Sequence, residues 1–103
     1  GAKLVSDDYT IVQRVAGRVR AKAPANIAGK IEVRGIGILT FETVSDAAVC
    51  LYVDLDRDVE RLPPERETIR IAGVDVPLIA ANGLEPSAPI KVEAALHLFG
   101  LQP

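Results

Sequence analysis

Apolar residues in this chain recur mainly at every second position, in short runs cut off by Gly, Pro, Asp or Asn; the wider spacing of a helix shows clearly at the C-terminus. A chain written this way must build its core from strands, because a two-residue period places a continuous apolar surface on one side of an extended backbone and nowhere on a helix. Within residues 18–22, Arg18, Arg20 and Lys22 face one way and Val19 and Ala21 the other. With residues 10–15 before it and Ala16-Gly17 between, this predicts a hairpin with one basic face. Residues 47–56 predict a single strand, with Val49, Leu51, Val53 and Leu55 on one face and Asp54 and Asp56 on the other. Residues 68–72 and 76–80 predict a second hairpin through Gly73-Val74-Asp75, with Ile69 and Ile71 inward. Pro77 lacks an N–H, which confines the returning strand to an edge or that residue to a non-bonding position.

The helix is expected from Ser87 or Ala88 to Phe99, with Ser87 as N-cap, Pro89 in the first turn and Gly100 as terminator. Val92, Ala95, Leu96 and Phe99 form its stripe, and His97 lies in the last turn, where the helix dipole favours a cation. Strands followed by one terminal helix give an α+β class with a mixed or antiparallel sheet. Three further segments matter for function. Residues 3–5 read as a strand whose end carries Ser6-Asp7-Asp8. Residues 24–28 make one turn, stopped by Gly29. Residues 30–39 read as one extended segment kinked at Gly35 and Gly37, where a bulge or a close backbone approach is expected. Residues 57–66, with Pro63-Pro64, read as a solvated connection. Asp54, Asp56, Asp58 and Glu60 alternate, but they lack the glycine and terminal Glu of a calcium loop.

Composition bounds the function. At 103 residues the chain is one domain at most, and with 49% apolar and 25% charged residues it reads as a soluble globular protein. A formal charge of -2 supplies no basic field to collect nucleic acid, and the scattered Tyr9, Phe41, Tyr52 and Phe99 make no base-stacking platform, so nucleic-acid binding is disfavoured. No apolar run reaches the ~20 residues of a membrane span. The single Cys50 sits in an apolar run and cannot close an internal disulfide, which suits a reducing cytoplasmic setting. Gly1-Ala2-Lys3 opens almost directly into a strand without a starting Met, as expected of a processed chain or a piece of a longer one.

Asp7, Asp8 and Glu32 are the residues with the clearest chemical potential. Neighbouring strand residues point to opposite sides, so Asp7 and Asp8 divide their tasks unless the backbone turns between them. One carboxylate holding Mg²⁺ and another facing an attacking hydroxyl is the division that phosphoryl transfer needs, with Glu32 as an additional metal or water-positioning carboxylate. An Asp pair at a strand end also serves as a turn or helix cap, and a Glu before glycines also stands simply exposed.

The run Ile31-Glu32-Val33-Arg34-Gly35-Ile36-Gly37-Ile38-Leu39, with Leu4-Val5-Ser6-Asp7-Asp8 upstream, resembles the signature of the bacterial HPr kinase/phosphorylase family, most closely its short proteobacterial form. The resemblance extends over most of the chain. It implies part of a P-loop kinase domain of the phosphoenolpyruvate-carboxykinase type, using ATP and Mg²⁺ to phosphorylate a serine of the phosphocarrier HPr and able to reverse the modification by phosphorolysis. By the same match Asp7 is the general base and, in reverse, the general acid. Asp8 and Glu32 are the metal carboxylates. Arg34 contacts the protein substrate or phosphate, and Gly35 and Gly37 lie on the cofactor side, Gly37 letting the backbone bend. Two departures stand out. The phosphate-binding G-x-x-x-x-G-K-[ST] loop is absent from the 103 residues, so Gly1 is expected to follow that loop and its helix, making this the C-terminal portion of a larger catalytic domain that is not competent alone. Residues 82–86 also lack the arginines that longer family members carry before the last helix, which weakens the expectation of phosphorolysis more than that of kinase ancestry.

Two other functions compete. A non-catalytic domain would use the strands and helix to bind a phosphocarrier or to form a homo-oligomer, with no dependence on nucleotide. A different metal-dependent hydrolase built on Asp7, Asp8 and Glu32 would turn over with Mg²⁺ and without ATP. An exposed sheet edge left by a missing neighbouring strand would also invite pairing with another copy.

Overall fold

The computed structural model describes residues 2–59 and 65–103. Within them the order is eight strands and then one helix, and the chain divides into two compact units, Gly1–Ala48 and Val49–Pro103.

In the first unit, β1 (Ile11–Val15) and β2 (Arg18–Lys22) form the expected hairpin, with Val15 opposite Arg18. Ala16 and Gly17 both take positive φ, 51° and 76°, as a two-residue turn matching the right-handed strand twist requires. β2 is the middle strand of a three-stranded antiparallel sheet whose other edge is β5 (Asp46–Ala48). The expected alternation holds: Val19 is 2% exposed, while Arg18 and Arg20 are half-buried and Lys22 exposed. The basic face is not wholly cationic, because Arg20 pairs with Asp46 of β5 at 2.5 Å.

Residues 30–39 are a hairpin and not one kinked strand. β3 (Lys30–Val33) runs antiparallel to β4 (Gly37–Thr40), with Glu32 opposite Ile38. The Ile36 N–H donates to the Val33 carbonyl at 2.9 Å, closing a turn whose third residue, Gly35, has φ +83°. That backbone is disfavoured for any residue with a Cβ, so glycine here reverses the chain, where a bulge was expected. The strand expected at residues 3–5 is likewise reduced to a single parallel bridge, Leu4 to Thr43, with the Val44 N–H donating to the Leu4 carbonyl at 3.0 Å. Residues 24–28 form the expected turn, with the Ile27 N–H on the Pro24 carbonyl at 3.1 Å.

The strand expected across residues 47–56 is two strands in two different sheets: β5 in the first unit, and β6 (Tyr52–Asp54) in the second. Apolar alternation is continuous through both, and it carries no information about which neighbour each half will pair with. β6 runs parallel to β8 (Val74–Ala80), which is also antiparallel to β7 (Glu67–Ile71). The β7–β8 turn is Ala72-Gly73, at φ 49° and 79°, one position earlier than expected, and Asp75 lies inside β8, paired with Arg70 at 3.1 Å.

β8 is the central strand, order β6-β8-β7, so Pro77 does not make it an edge. The register explains why the proline is tolerated. Counting from the closing pair Ile71–Val74, every second pair exchanges ladder bonds, which leaves Thr68–Pro77 as a non-bonded pair towards β7. On the other side the β6 ladder begins only at Leu78. Val76 in β8 is 0% exposed, and Ala81, Ala88 and Ala95 are also buried.

The helix α1 (Ala88–Phe99) follows, with Ser87 at its N-cap and Gly100 after its end. Ser87 makes no capping bond. Pro89 has no N–H to offer in the first turn, and the Ser87 hydroxyl lies 3.5 Å from Glu85 Oε2, which also accepts from Lys91 Nζ at 2.8 Å. The helix buries Ala88 and Ala95 and half-buries Val92, while Leu96 and Phe99 of the expected stripe are exposed. His97 is exposed in the last turn, as expected. Asp54 Oδ1 accepts from the Asp56 N–H at 2.9 Å, an acid folding a turn onto itself. Glu60 and Pro63-Pro64 of the expected connection lie outside the described residues. No helix among the described residues is long and apolar enough to cross a membrane.

Candidate functional site

Asp7 and Glu32 stand 25 positions apart in the chain and meet in the first unit, where the Glu32 backbone N–H donates to Asp7 Oδ2 at 3.2 Å. The local fold accounts for this contact. Among the described residues β3 has a partner strand on one side only, so alternate N–H groups along it point to an unpaired edge. The Asp7 carboxylate takes up one of them, doing for the edge what a neighbouring strand would do. The segment bearing Asp7 is also held upstream, where the Leu4 carbonyl accepts from the Val44 N–H.

Within residues 6–9 the Ser6 hydroxyl donates to the Tyr9 carbonyl at 2.5 Å, so the backbone turns at Asp7-Asp8. Asp7 is half-buried, its carboxylate on the Glu32 N–H of β3, and Asp8 is exposed. In the sequence Ser6 stands out only as part of the strand-ending triplet. The available signal was a Ser ahead of two acids, a pattern that favours local side-chain-to-backbone turns.

Glu32 and Arg34 are exposed, Glu32 on the outer face of β3 opposite Ile38, and Arg34 at the second position of the β3–β4 turn. Gly35 is the turn's positive-φ residue, and Gly37, at φ +126°, opens β4. A Cβ at either glycine would meet nothing within 4 Å, so their role in this chain is backbone conformation and not clearance. The tip also carries two large apolar residues in water, Ile36 at 73% and Ile38 at 72% exposed.

Among the described residues no three of His, Cys, Asp and Glu converge as a ready-made ligand set. Asp8 and Glu32 offer hard oxygen donors in solvent, and Asp7 offers one oxygen already engaged by a peptide N–H and a second beside it. The described residues supply no lysine-bearing phosphate loop to go with them.

No family model matches the chain. It is 38% identical over 121 aligned positions to the HPr kinase/phosphorylase of Aromatoleum aromaticum, an alignment covering 99% of this chain and 37% of that protein. It is 31% identical to the HPr kinase/phosphorylase of Chlorobium luteolum, over 77% of this chain and 28% of that protein. The chain therefore spans about a third of the length of these relatives. Its fold superposes on the structure of the Hpr(Ser) kinase/phosphatase from Coxiella burnetii with a TM-score of 0.75 and 22% identity, covering 92% of this chain and 66% of that one. This likeness supports the α+β architecture of mixed and antiparallel sheets with a C-terminal helix.

Proposed function

Because the chain belongs to the HPr kinase/phosphorylase family, we propose that its 103 residues are the carboxylate-bearing, C-terminal portion of a P-loop kinase domain that phosphorylates a serine of the phosphocarrier HPr. The observation that carries this reading is the Asp7–Glu32 contact, which brings the two acidic motifs of the sequence to one place.

In the proposed reaction the serine oxygen bonds to the γ-phosphorus of ATP as the bond from that phosphorus to the β,γ-bridging oxygen breaks and ADP leaves. The serine hydroxyl proton passes to Asp7, whose second oxygen is not the one accepting from Glu32. In phosphorolysis an oxygen of inorganic phosphate bonds to the phosphoserine phosphorus as the bond from that phosphorus to the serine oxygen breaks; Asp7, starting protonated, gives its proton to the departing serine oxygen, and pyrophosphate is the other product. Asp8 and Glu32 would hold Mg²⁺, which neutralises charge on the phosphates when bound. Arg34, exposed at the hairpin tip, would contact the protein substrate or its phosphate, and Gly35 and Gly37 would shape the backbone on the cofactor side. The triphosphate itself needs the backbone N–H cradle and the lysine of a G-x-x-x-x-G-K-[ST] loop, a motif that these 103 residues do not contain, so the chain by itself is read as incompetent. Acting on HPr would place the protein in the cytoplasm.

A second reading keeps the framework and drops the chemistry: a domain that binds a phosphocarrier or another copy of itself. It is favoured by the large apolar residues left in water, Ile36 and Ile38 on the hairpin tip and Ile90 and Leu98 on the helix. The two readings separate on transfer of the γ-phosphate of labelled ATP to HPr by the complete protein. Asp7→Asn and Asp8→Asn are each expected to lower kcat by at least about 100-fold, the usual size of a lost general base or metal carboxylate. No transfer by the complete wild-type protein would remove the catalytic reading and leave the binding one, whereas full activity in Asp7→Asn would remove Asp7 as the general base.

A further inference from the structure

Two anchors pin the segment that carries the acids, and between them lies a side chain with no place in the transfer chemistry. The Leu4 carbonyl accepts from the Val44 N–H at 3.0 Å, and Asp7 Oδ2 accepts from the Glu32 N–H at 3.2 Å. Ser6 sits between these anchors, and its hydroxyl donates to the Tyr9 carbonyl at 2.5 Å, a bond that spans both Asp7 and Asp8. Packing contributes little to this turn. Tyr9 is 74% exposed, so its ring does not anchor the far end by packing, and Asp8 and Thr10 are exposed as well. The Asp7–Glu32 bond is long and solvent-facing, so its occupancy depends on how narrowly residues 6–9 are confined beforehand.

We propose that Ser6 is a positioning residue: by tying its hydroxyl to the Tyr9 carbonyl it holds the turn that presents the Asp7 carboxylate to the Glu32 peptide N–H and leaves one carboxylate oxygen for the substrate hydroxyl. The catalytic half of this statement rests on the reading of Asp7 as the general base. The structural half stands on the two hydrogen bonds alone. A base must lie within hydrogen-bond reach of the proton it takes, and a carboxylate free to swing is in reach only part of the time. Threonine keeps the hydroxyl and alanine removes it, which makes the role separable from mere occupancy of the position.

The test uses the complete protein with Ser6→Ala, Ser6→Thr and Asp7→Asn. Two quantities are read: deuterium exchange at the Glu32 backbone amide, and kcat with KM for ATP. Ser6→Ala is expected to speed Glu32 exchange and lower kcat, each by about five-fold, the factor a single neutral hydrogen bond typically contributes, with KM for ATP unchanged. Ser6→Thr is expected to restore both. Wild-type exchange at Glu32 in Ser6→Ala overturns the proposal whatever happens to the rate. If exchange rises in Ser6→Ala while Asp7→Asn keeps full activity, the reading of Asp7 as base falls and the positional role of Ser6 stands.

Discussion

Gly100 ends the helix for a reason that a substitution can isolate. Its φ and ψ, -62° and 149°, are open to any residue, so it is not there to adopt a left-handed cap. A Cβ added to it would lie 2.4 Å from the Leu96 carbonyl oxygen and 2.8 Å from Leu96 Cδ1. The same oxygen accepts from the Gly100 N–H at 3.0 Å, so the backbone cannot back away from the clash without stretching that bond. The next residue is also tied, with the Leu101 N–H on the Cys50 carbonyl at 2.9 Å. Gly100→Ala therefore forces a choice between overpacking, about 1 to 3 kcal/mol, and loss of a hydrogen bond, about 1 kcal/mol. We expect a loss of about 1 to 3 kcal/mol, which at a slope of roughly 1 kcal/mol per molar lowers a urea midpoint by about 1 to 3 M. Gly83→Ala is the control: its Cβ would meet Leu55 methyls at 3.5 and 3.6 Å, an ordinary contact, and a neutral or slightly stabilising effect is expected. The assay is urea unfolding followed by far-ultraviolet circular dichroism. A Gly100→Ala midpoint indistinguishable from wild type, with helical signal intact, would refute the close-approach argument.

Three further outcomes are expected. Gly35→Ala places a Cβ in open space at φ +83°, so the loss is purely conformational, about 1 to 2 kcal/mol, and Gly35→Asn should lose less; equal losses in thermal unfolding would contradict this. Val76→Ala removes two methyl groups from a fully buried position and should lower stability by about 2 kcal/mol, read from denaturant midpoints. The Glu85 carboxyl is held below the ordinary carboxylate range, first by its hydrogen bond from Lys91 and then by the charge of that ammonium. A depressed folded-state pKa means that this pair's contribution is present above the unfolded pKa and disappears as pH falls through the lowered folded value. Lys91→Met should therefore narrow the stability difference between neutral pH and pH values below about 4, and an unchanged acid limb would show the pair to be inert.

Much of the candidate site was visible as a list of residues and little of it as geometry. Asp7, Asp8, Glu32 and Arg34 stand out in the sequence through their motifs, yet the contact that joins Asp7 to Glu32 runs to a backbone N–H, a group that every residue but proline carries. What makes that N–H special is its position on the unpaired edge of β3. The edge exists only because Gly35 turns the chain into a two-stranded hairpin. The glycines were legible as a place where the backbone does something unusual, and a bulge and a reversal both answer to that description.

The sequence by itself determined what depends on neighbours a few positions away: the Ala16-Gly17 hairpin, the inward side of β2 at Val19, the span of α1, and the family to which the acidic motifs belong. Tertiary structure decided what depends on partners brought from a distance. It split residues 47–56 between two sheets, set Pro77 in a central strand at a pair that needs no N–H, and placed Glu32 against a carboxylate 25 residues upstream. The physical reason is that side-chain alternation and turn propensity are local energies. The choice of which strand edge pairs with which group is instead set by chain closure and by the satisfaction of backbone hydrogen bonds, to which the identity of the side chains is nearly silent.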